Sequence, residues 1–296
     1  GHEGCVSLFF SGCPIRCEVN PACGREREYV LKKTEDPKNV VIIGGGVAGM
    51  EAARYGAEVG HKITLIEKTD QLGGHFIEAT RPSFKEDHKN VLEWLIHQVE
   101  KANIKVMMNT EATLELVRSL QPDVVILATG SKYVSIPVKG IETALTPDKV
   151  LKKTTAVGDK VVVIGGGLVG AETALELGNE GKDVTILEML PGIVMQDEPL
   201  SQISLMNHLA AANVTCMTSC KVVEIKDGNV IYEDAGGKQN SIAADTIISA
   251  TGLKADTDAS APFADCAKKV VTIGDARQAK KIFECFHQAW QVIREL

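Results

Sequence analysis

Gly44, Gly46 and Gly49 follow the apolar run Val40-Val41-Ile42-Ile43 and lead into the small-residue stretch Ala52-Ala53. A G-x-G-x-x-G spacing between strand and helix suits a dinucleotide pyrophosphate. The first glycine allows a tight turn, the second lets phosphate approach the backbone, and the third lets helix pack close on strand. The helix start behind them offers unpaired N–H groups and a positive dipole end to the anion. Glu67 ends the next strand, Lys62 to Ile66, 18 positions past Gly49. A carboxylate there would accept hydrogen bonds from the adenosine ribose. The pattern then recurs. Gly165, Gly167, Gly170 and Glu188 repeat the first set 121 positions on, and Ala250-Thr251-Gly252 repeats Ala128-Thr129-Gly130 at an offset of 122. Two copies of one nucleotide-binding unit are expected.

Two such units suit hydride passage from a nicotinamide C4 to a flavin N5. The rate would come from stacking and orientation, so no side chain is assigned as catalytic. The first copy, with Gly44, Gly46, Gly49, Glu67, Gly74, Thr129, Gly130 and Asp275, is assigned to FAD. The second, with Gly165, Gly167, Gly170, Glu188 and Gly252, is assigned to the nicotinamide nucleotide. Glu188 favours NADH over NADPH, because a carboxylate accepts from a ribose 2′-OH and repels a 2′-phosphate. Met189-Leu190-Pro191 after it supplies no arginine for that phosphate. Asp275, at the expected start of the last helix, is placed on the flavin ribitol, with a plain helix N-cap as the alternative. His75, just after Gly74, reads as a solvated loop position, with an approach to the flavin as the alternative, and Trp94 as packing rather than a ligand contact.

These residues need a strand–helix alternation to position them. It begins at Asn39 and includes a helix over 87–102 with Val91, Leu92, Leu95, Ile96 and Val99 on one face. A short strand over 270–273 and a helix over 280–296 follow the second copy and are expected to return to complete the first. The expected fold is α/β, with two tandem Rossmann-like dinucleotide-binding domains, the second inserted in the first. The boundaries expected are 39–145 with 254–296 for FAD and 146–253 for NAD(P), after a cysteine-containing segment 1–38.

The chain has 296 residues, 44% hydrophobic and 24% charged, which suits a two-domain globular protein. Its net charge of −7, with no basic stripe, argues against nucleic acid and anionic membrane as partners. No apolar run approaches the ~18 residues a membrane span needs, and no signal pattern opens the chain. A cytoplasmic location is expected, and oligomeric state stays open. The chain starts at Gly1 without Met and reads as a fragment. Four of its eight cysteines lie between Cys5 and Cys23, a crowding that suits an iron–sulfur or zinc site or unligated thiols. Cys216 and Cys220 read as packing residues on one strand, and Cys266 and Cys285 as inert. The lack of a cysteine pair between Cys23 and Cys216 argues against a dithiol reductase.

Cys17-Glu-Val-Asn-Pro, Gly24-Arg-Glu, both glycine triplets, both Ala-Thr-Gly stretches and Thr272-Ile-Gly-Asp-Ala together carry a family likeness. The chain resembles, over its whole length, the old-yellow-enzyme-related iron–sulfur flavoproteins, such as 2,4-dienoyl-CoA reductase, trimethylamine dehydrogenase and enoate reductase. The resemblance implies domains of the glutathione-reductase type and a reductase module passing hydride from NADH to FAD. Electrons would go on to a [4Fe–4S] cluster and to an FMN-bearing barrel that precedes this part in the family. Cys5 and Cys17, eleven residues apart, match the last two cluster ligands, and the second ligand would fall on Gly1. Within the family ADP can replace FAD, which makes a structural nucleotide-holding module the alternative. An electron-input subunit of another complex, of the glutamate-synthase small-subunit type, is a further one.

Overall fold

A computed structural model describes residues 3–296, which fall into two compact units. One comprises the chain up to Thr80, Asp87–Lys132 and Lys254–Leu296; the other comprises Arg81–Glu86 and Tyr133–Leu253.

The first unit is built on β1 (Asn39–Ile43), β2 (Lys62–Ile66), β3 (Lys105–Met107), β4 (Val124–Leu127) and the late β14 (Lys269–Thr272). They form one parallel sheet in the order β14-β4-β1-β2-β3. Near-continuous apolar runs leave β1, β2 and β4 buried on both faces, as a parallel sheet between helices requires, while the outer β3 and β14 are only partly buried. Val40 and Ile42 pack with Met50 and Ala53 of the helix Val47–Val59 and with Phe286 and Trp290 of the closing helix Ile282–Arg294. Val41 and Ile43 pack on the opposite face with Val117 and Phe263. The strand after the second copy does return: Lys269 to Thr272 pair with Val124 to Leu127.

The N-terminal segment leans on the closing helix. Tyr29 stacks on Trp290 at 6.3 Å, the Arg294 guanidinium lies 4.2 Å over the Tyr29 ring, and His287 Nε2 contacts the Cys17 carbonyl at 2.9 Å. Trp290 also meets Tyr55 edge-on at 4.1 Å. Trp94 packs as expected, but at the edge of the core: it is 44% exposed and its ring lies 5.4 Å from the guanidinium of Arg54, whose own side chain is largely buried.

In the second unit β6 (Lys160–Ile164), β7 (Asp183–Leu187), β8 (Thr215–Met217) and β12 (Thr246–Ser249) form a parallel sheet in the order β12-β6-β7-β8. This is the first sheet's order without its outer strand. The helix Leu168–Asn179 covers one face. The other carries an antiparallel layer, β9 (Lys221–Lys226), β10 (Asn229–Glu233) and β11 (Gln239–Ala243), joined through Val162 and Ile164 to Val222, Ile225, Val230 and Tyr232. The sequence reading missed this layer. Its signal was Asp227-Gly228, both at positive φ, a hairpin turn between alternating apolar residues. The same layer corrects the cysteine reading. Cys216 lies in β8, whereas Cys220 follows the left-handed Ser219 ahead of β9, so they do not share a strand. Residues 133–145 group with this unit because Ile136, Val138, Ile141 and Ala144 pack on the layer. The short strands β5 (Ser131–Tyr133) and β13 (Leu253–Ala255) pair with each other. No described helix is long and apolar enough to cross a membrane.

Trp290→Ala should cost about 3–5 kcal/mol in urea unfolding, because a large buried ring is removed from a packed core. It should also speed proteolysis between residues 24 and 38, which lose the ring beneath Tyr29.

Candidate functional site

Both glycine turns sit at the carboxyl ends of their sheets, at the point where strand order reverses. Each glycine has a separate steric reason. Gly44 and Gly165 stand at φ 106° and 105°, and an added Cβ would strike the carbonyls of Ala128 and Ala250. A Cβ on Gly49 or Gly170 would strike the carbonyl of Gly44 or Gly165. The middle glycines differ. A Cβ on Gly46 would find only Gly74 Cα, at 4.0 Å, and one on Gly167 would find nothing within 4 Å. Open space beside a bare backbone at a helix start is the cradle a pyrophosphate needs. The residues therefore fit a dinucleotide at each turn.

The two acidic residues also match each other. Glu67 and Glu188 are buried, and each takes a loop N–H: Gly45 at 2.7 Å and Gly166 at 2.6 Å. The second oxygen accepts from Thr69 N at 2.8 Å and from Leu190 N at 2.7 Å respectively. Each carboxylate thus shapes its own glycine turn. An ionised carboxylate has about four lone-pair sites, so acceptor capacity remains for a ribose hydroxyl.

Around the first turn the structure brings three separated segments together. Gly73 N donates to Gly45 O at 2.8 Å, and Gly74 follows in a left-handed conformation. His75 Nε2 lies 2.8 Å from the Ser131 carbonyl, and the Ser131 hydroxyl donates to Asp275 Oδ2 at 2.9 Å. Gly274 packs on Ala48 of the first glycine helix, which sets Asp275 beside that helix's N-terminus. Thr129 Oγ1 pairs with Ser260 Oγ at 2.8 Å, and no atom would crowd a Cβ on Gly130 or Gly252. Two expectations are corrected. Asp275 lies in the short turn Gly274–Ala276, and the last helix starts at Ile282 behind Lys281, so Asp275 is not that helix's cap. His75 is held at both ring nitrogens, the second by Glu78 Oε1 at 2.5 Å, and is not a free loop side chain. Ser131 and Glu78 went unnoticed in the sequence. Glu78 had a local signal, its i,i+3 spacing from His75, and Ser131 had none.

The thiols divide into two groups. Burial raises the pKa of Cys216, Cys220, Cys266 and Cys285, in keeping with unreactive packing. Gly4 packs against the Arg16–Glu18 backbone, which brings the Cys5 segment next to Cys17. No group of three or more metal-ligating side chains converges among the described residues. Cys5 and Cys17 are the two residues expected as cluster ligands, and a cluster takes four. The ligand position expected at Gly1 lies outside the described residues.

Comparison with known proteins decides the family. Residues 38–273 match the pyridine nucleotide-disulphide oxidoreductase family. The chain belongs to it. A cinnamate reductase from Clostridium sporogenes is 36% identical over 99% of this oxidoreductase and 44% of its own length. An NADH oxidase from Thermoanaerobacter brockii is 36% identical over 98% of this chain and 46% of its own. The structure of a 2-naphthoyl-CoA reductase superposes with a TM-score of 0.94 and 31% identity, over 100% of this chain and 46% of that one. The chain thus spans about half the length of the curated relatives it matches. These relatives bear out the resemblance to the reductase part of old-yellow-enzyme-related flavoenzymes, and the α/β fold with its inserted second copy. The chain is an FAD-dependent oxidoreductase of the kind that works with NAD(H).

The middle and third glycines should separate in experiment. Gly167→Ala should stay within about 1 kcal/mol of wild-type stability, since its methyl enters open space, yet weaken NADH binding at least about tenfold, close to the cost of a lost charge-assisted hydrogen bond. Gly170→Ala should instead lower the melting temperature sharply. Thermal unfolding and NADH titration of the two variants check this.

Proposed function

We propose that this chain is the electron-entry module of a larger flavoenzyme, taking hydride from NADH onto FAD. The duplicated open cradle at Gly46 and Gly167 supports the reading, because it leaves room for a pyrophosphate at two places in one chain. FAD, when bound, supplies the hydride acceptor. The first unit's residues bind and orient it: the Gly44–Gly49 turn faces the pyrophosphate, Glu67 the ribose and Asp275 the ribitol. The second turn with Glu188 holds NADH. Met189 and Leu190 are exposed beyond Glu188 and offer no cation to a 2′-phosphate.

The names of the relatives, a cinnamate reductase and a 2-naphthoyl-CoA reductase, support an unsaturated acid or thioester as the final acceptor in the whole protein. Cys5 and Cys17 are proposed as two ligands of a [4Fe–4S] cluster on the way to an FMN-bearing domain. The described residues do not complete that cluster. The first-site nucleotide is proposed as FAD rather than ADP.

The purified chain, incubated with FAD, should turn yellow and bleach on anaerobic addition of NADH. A chain that stays colourless, or that yields only ADP when its nucleotide is extracted and weighed, sinks the proposal. NADPH should reduce the flavin with a KM at least about tenfold higher than NADH, the effect of one unfavourable charged contact. Equal KM values would end the claim for Glu188.

A further inference from the structure

His75 faces two acceptors. Its Nε2 lies 2.8 Å from the Ser131 carbonyl, which has no proton to give. Its Nδ1 lies 2.5 Å from Glu78 Oε1, on a side chain only 5% exposed. A neutral imidazole carries one N–H and satisfies one such partner; an imidazolium satisfies both. The ring therefore fits this place as a cation. The hydroxyl of the same Ser131 donates to Asp275 Oδ2 at 2.9 Å, while Asp275 Oδ1 accepts from Lys280 N at 3.2 Å. A continuous chain of contacts links Glu78, His75, Ser131 and Asp275, drawn from three segments far apart in sequence.

We propose that His75 is a positioning residue: as an imidazolium clamped between Glu78 and the Ser131 carbonyl, it fixes Ser131 and thereby Asp275 for the flavin ribitol, and releases them on deprotonation. The inference rests on the flavin reading of the first site. Charged groups acting on the ring include Glu78, three residues along its own segment, and Asp275 from the return turn. Both are carboxylates, and both favour the charged ring. The hydrogen bond to Glu78 is the chief cause that raises the His75 pKa above its ordinary value; burial opposes it. A raised histidine pKa means that the clamp is complete below about pH 6.5 and is lost as pH rises through the folded-state value.

The test uses the full chain in two measurements. The first follows the His75 ring nitrogens by NMR between pH 5 and 9 without flavin, with His75→Gln to assign the signal. The second measures FAD affinity by flavin fluorescence over pH 6 to 9. The ring should titrate above the ordinary histidine value, and FAD affinity should fall about tenfold across its titration, as expected for one charge-assisted contact. Ser131→Ala keeps the carbonyl but cuts the link to Asp275. It should leave the ring titrating above the ordinary histidine value, since the Glu78 contact is kept, and make FAD affinity independent of pH. A ring that titrates at or below the ordinary value overturns the proposal, and so does a Ser131→Ala chain that keeps the wild-type pH dependence. A chain that binds no flavin at any pH overturns the flavin reading and the coupling with it. The ring titration tells that outcome apart from failure of the clamp.

Discussion

The backbone contact of a helix against the strand before it governs this structure. At Gly49 and again at Gly170 the helix meets the carbonyl of the turn's first glycine with no room for a side chain. That approach seats the helix N-terminus at the carboxyl edge of the sheet. It leaves the middle glycine bare toward solvent and places a buried glutamate where it can take the loop N–H. Any Cβ at the third glycine would push the helix away and open the turn. The anion cradle is thus a product of helix packing, and the same packing occurs twice.

The two copies diverge in what covers them. The first sheet gains β14 and the closing helix from the far end of the chain, and Phe286 and Trp290 fill the space beside the first glycine helix. The second sheet has no such return, and an antiparallel layer covers its other face. The difference has a functional side. The return segment delivers Asp275 to the first turn, where Ser131 and His75 meet it. The second turn has no counterpart of that network among the described residues.

Local information was enough for the repeated units. G-x-G-x-x-G, the β-branched runs before it and the acid after the next strand are all short-range features, since turn sterics and strand burial act over a few residues. The strands Lys62–Ile66, Asp183–Leu187 and Thr246–Ser249 occur at their expected bounds for that reason. The hairpin layer was also written locally, at Asp227-Gly228, and was overlooked.

The contacts that join distant segments were not legible. Ser131 looks like an ordinary loop serine, and only folding puts its carbonyl on His75 and its hydroxyl on Asp275. Trp94 fell near an apolar helical stripe, and only tertiary structure set it at the edge of the core beside Arg54. By itself the sequence determined that there are two glycine cradles, because a missing Cβ is a property of one residue and its neighbours. The tertiary structure decided which side chains converge on the first cradle, because hydrogen bonds across 56 and 144 residues depend on how the sheet and its returning strand close.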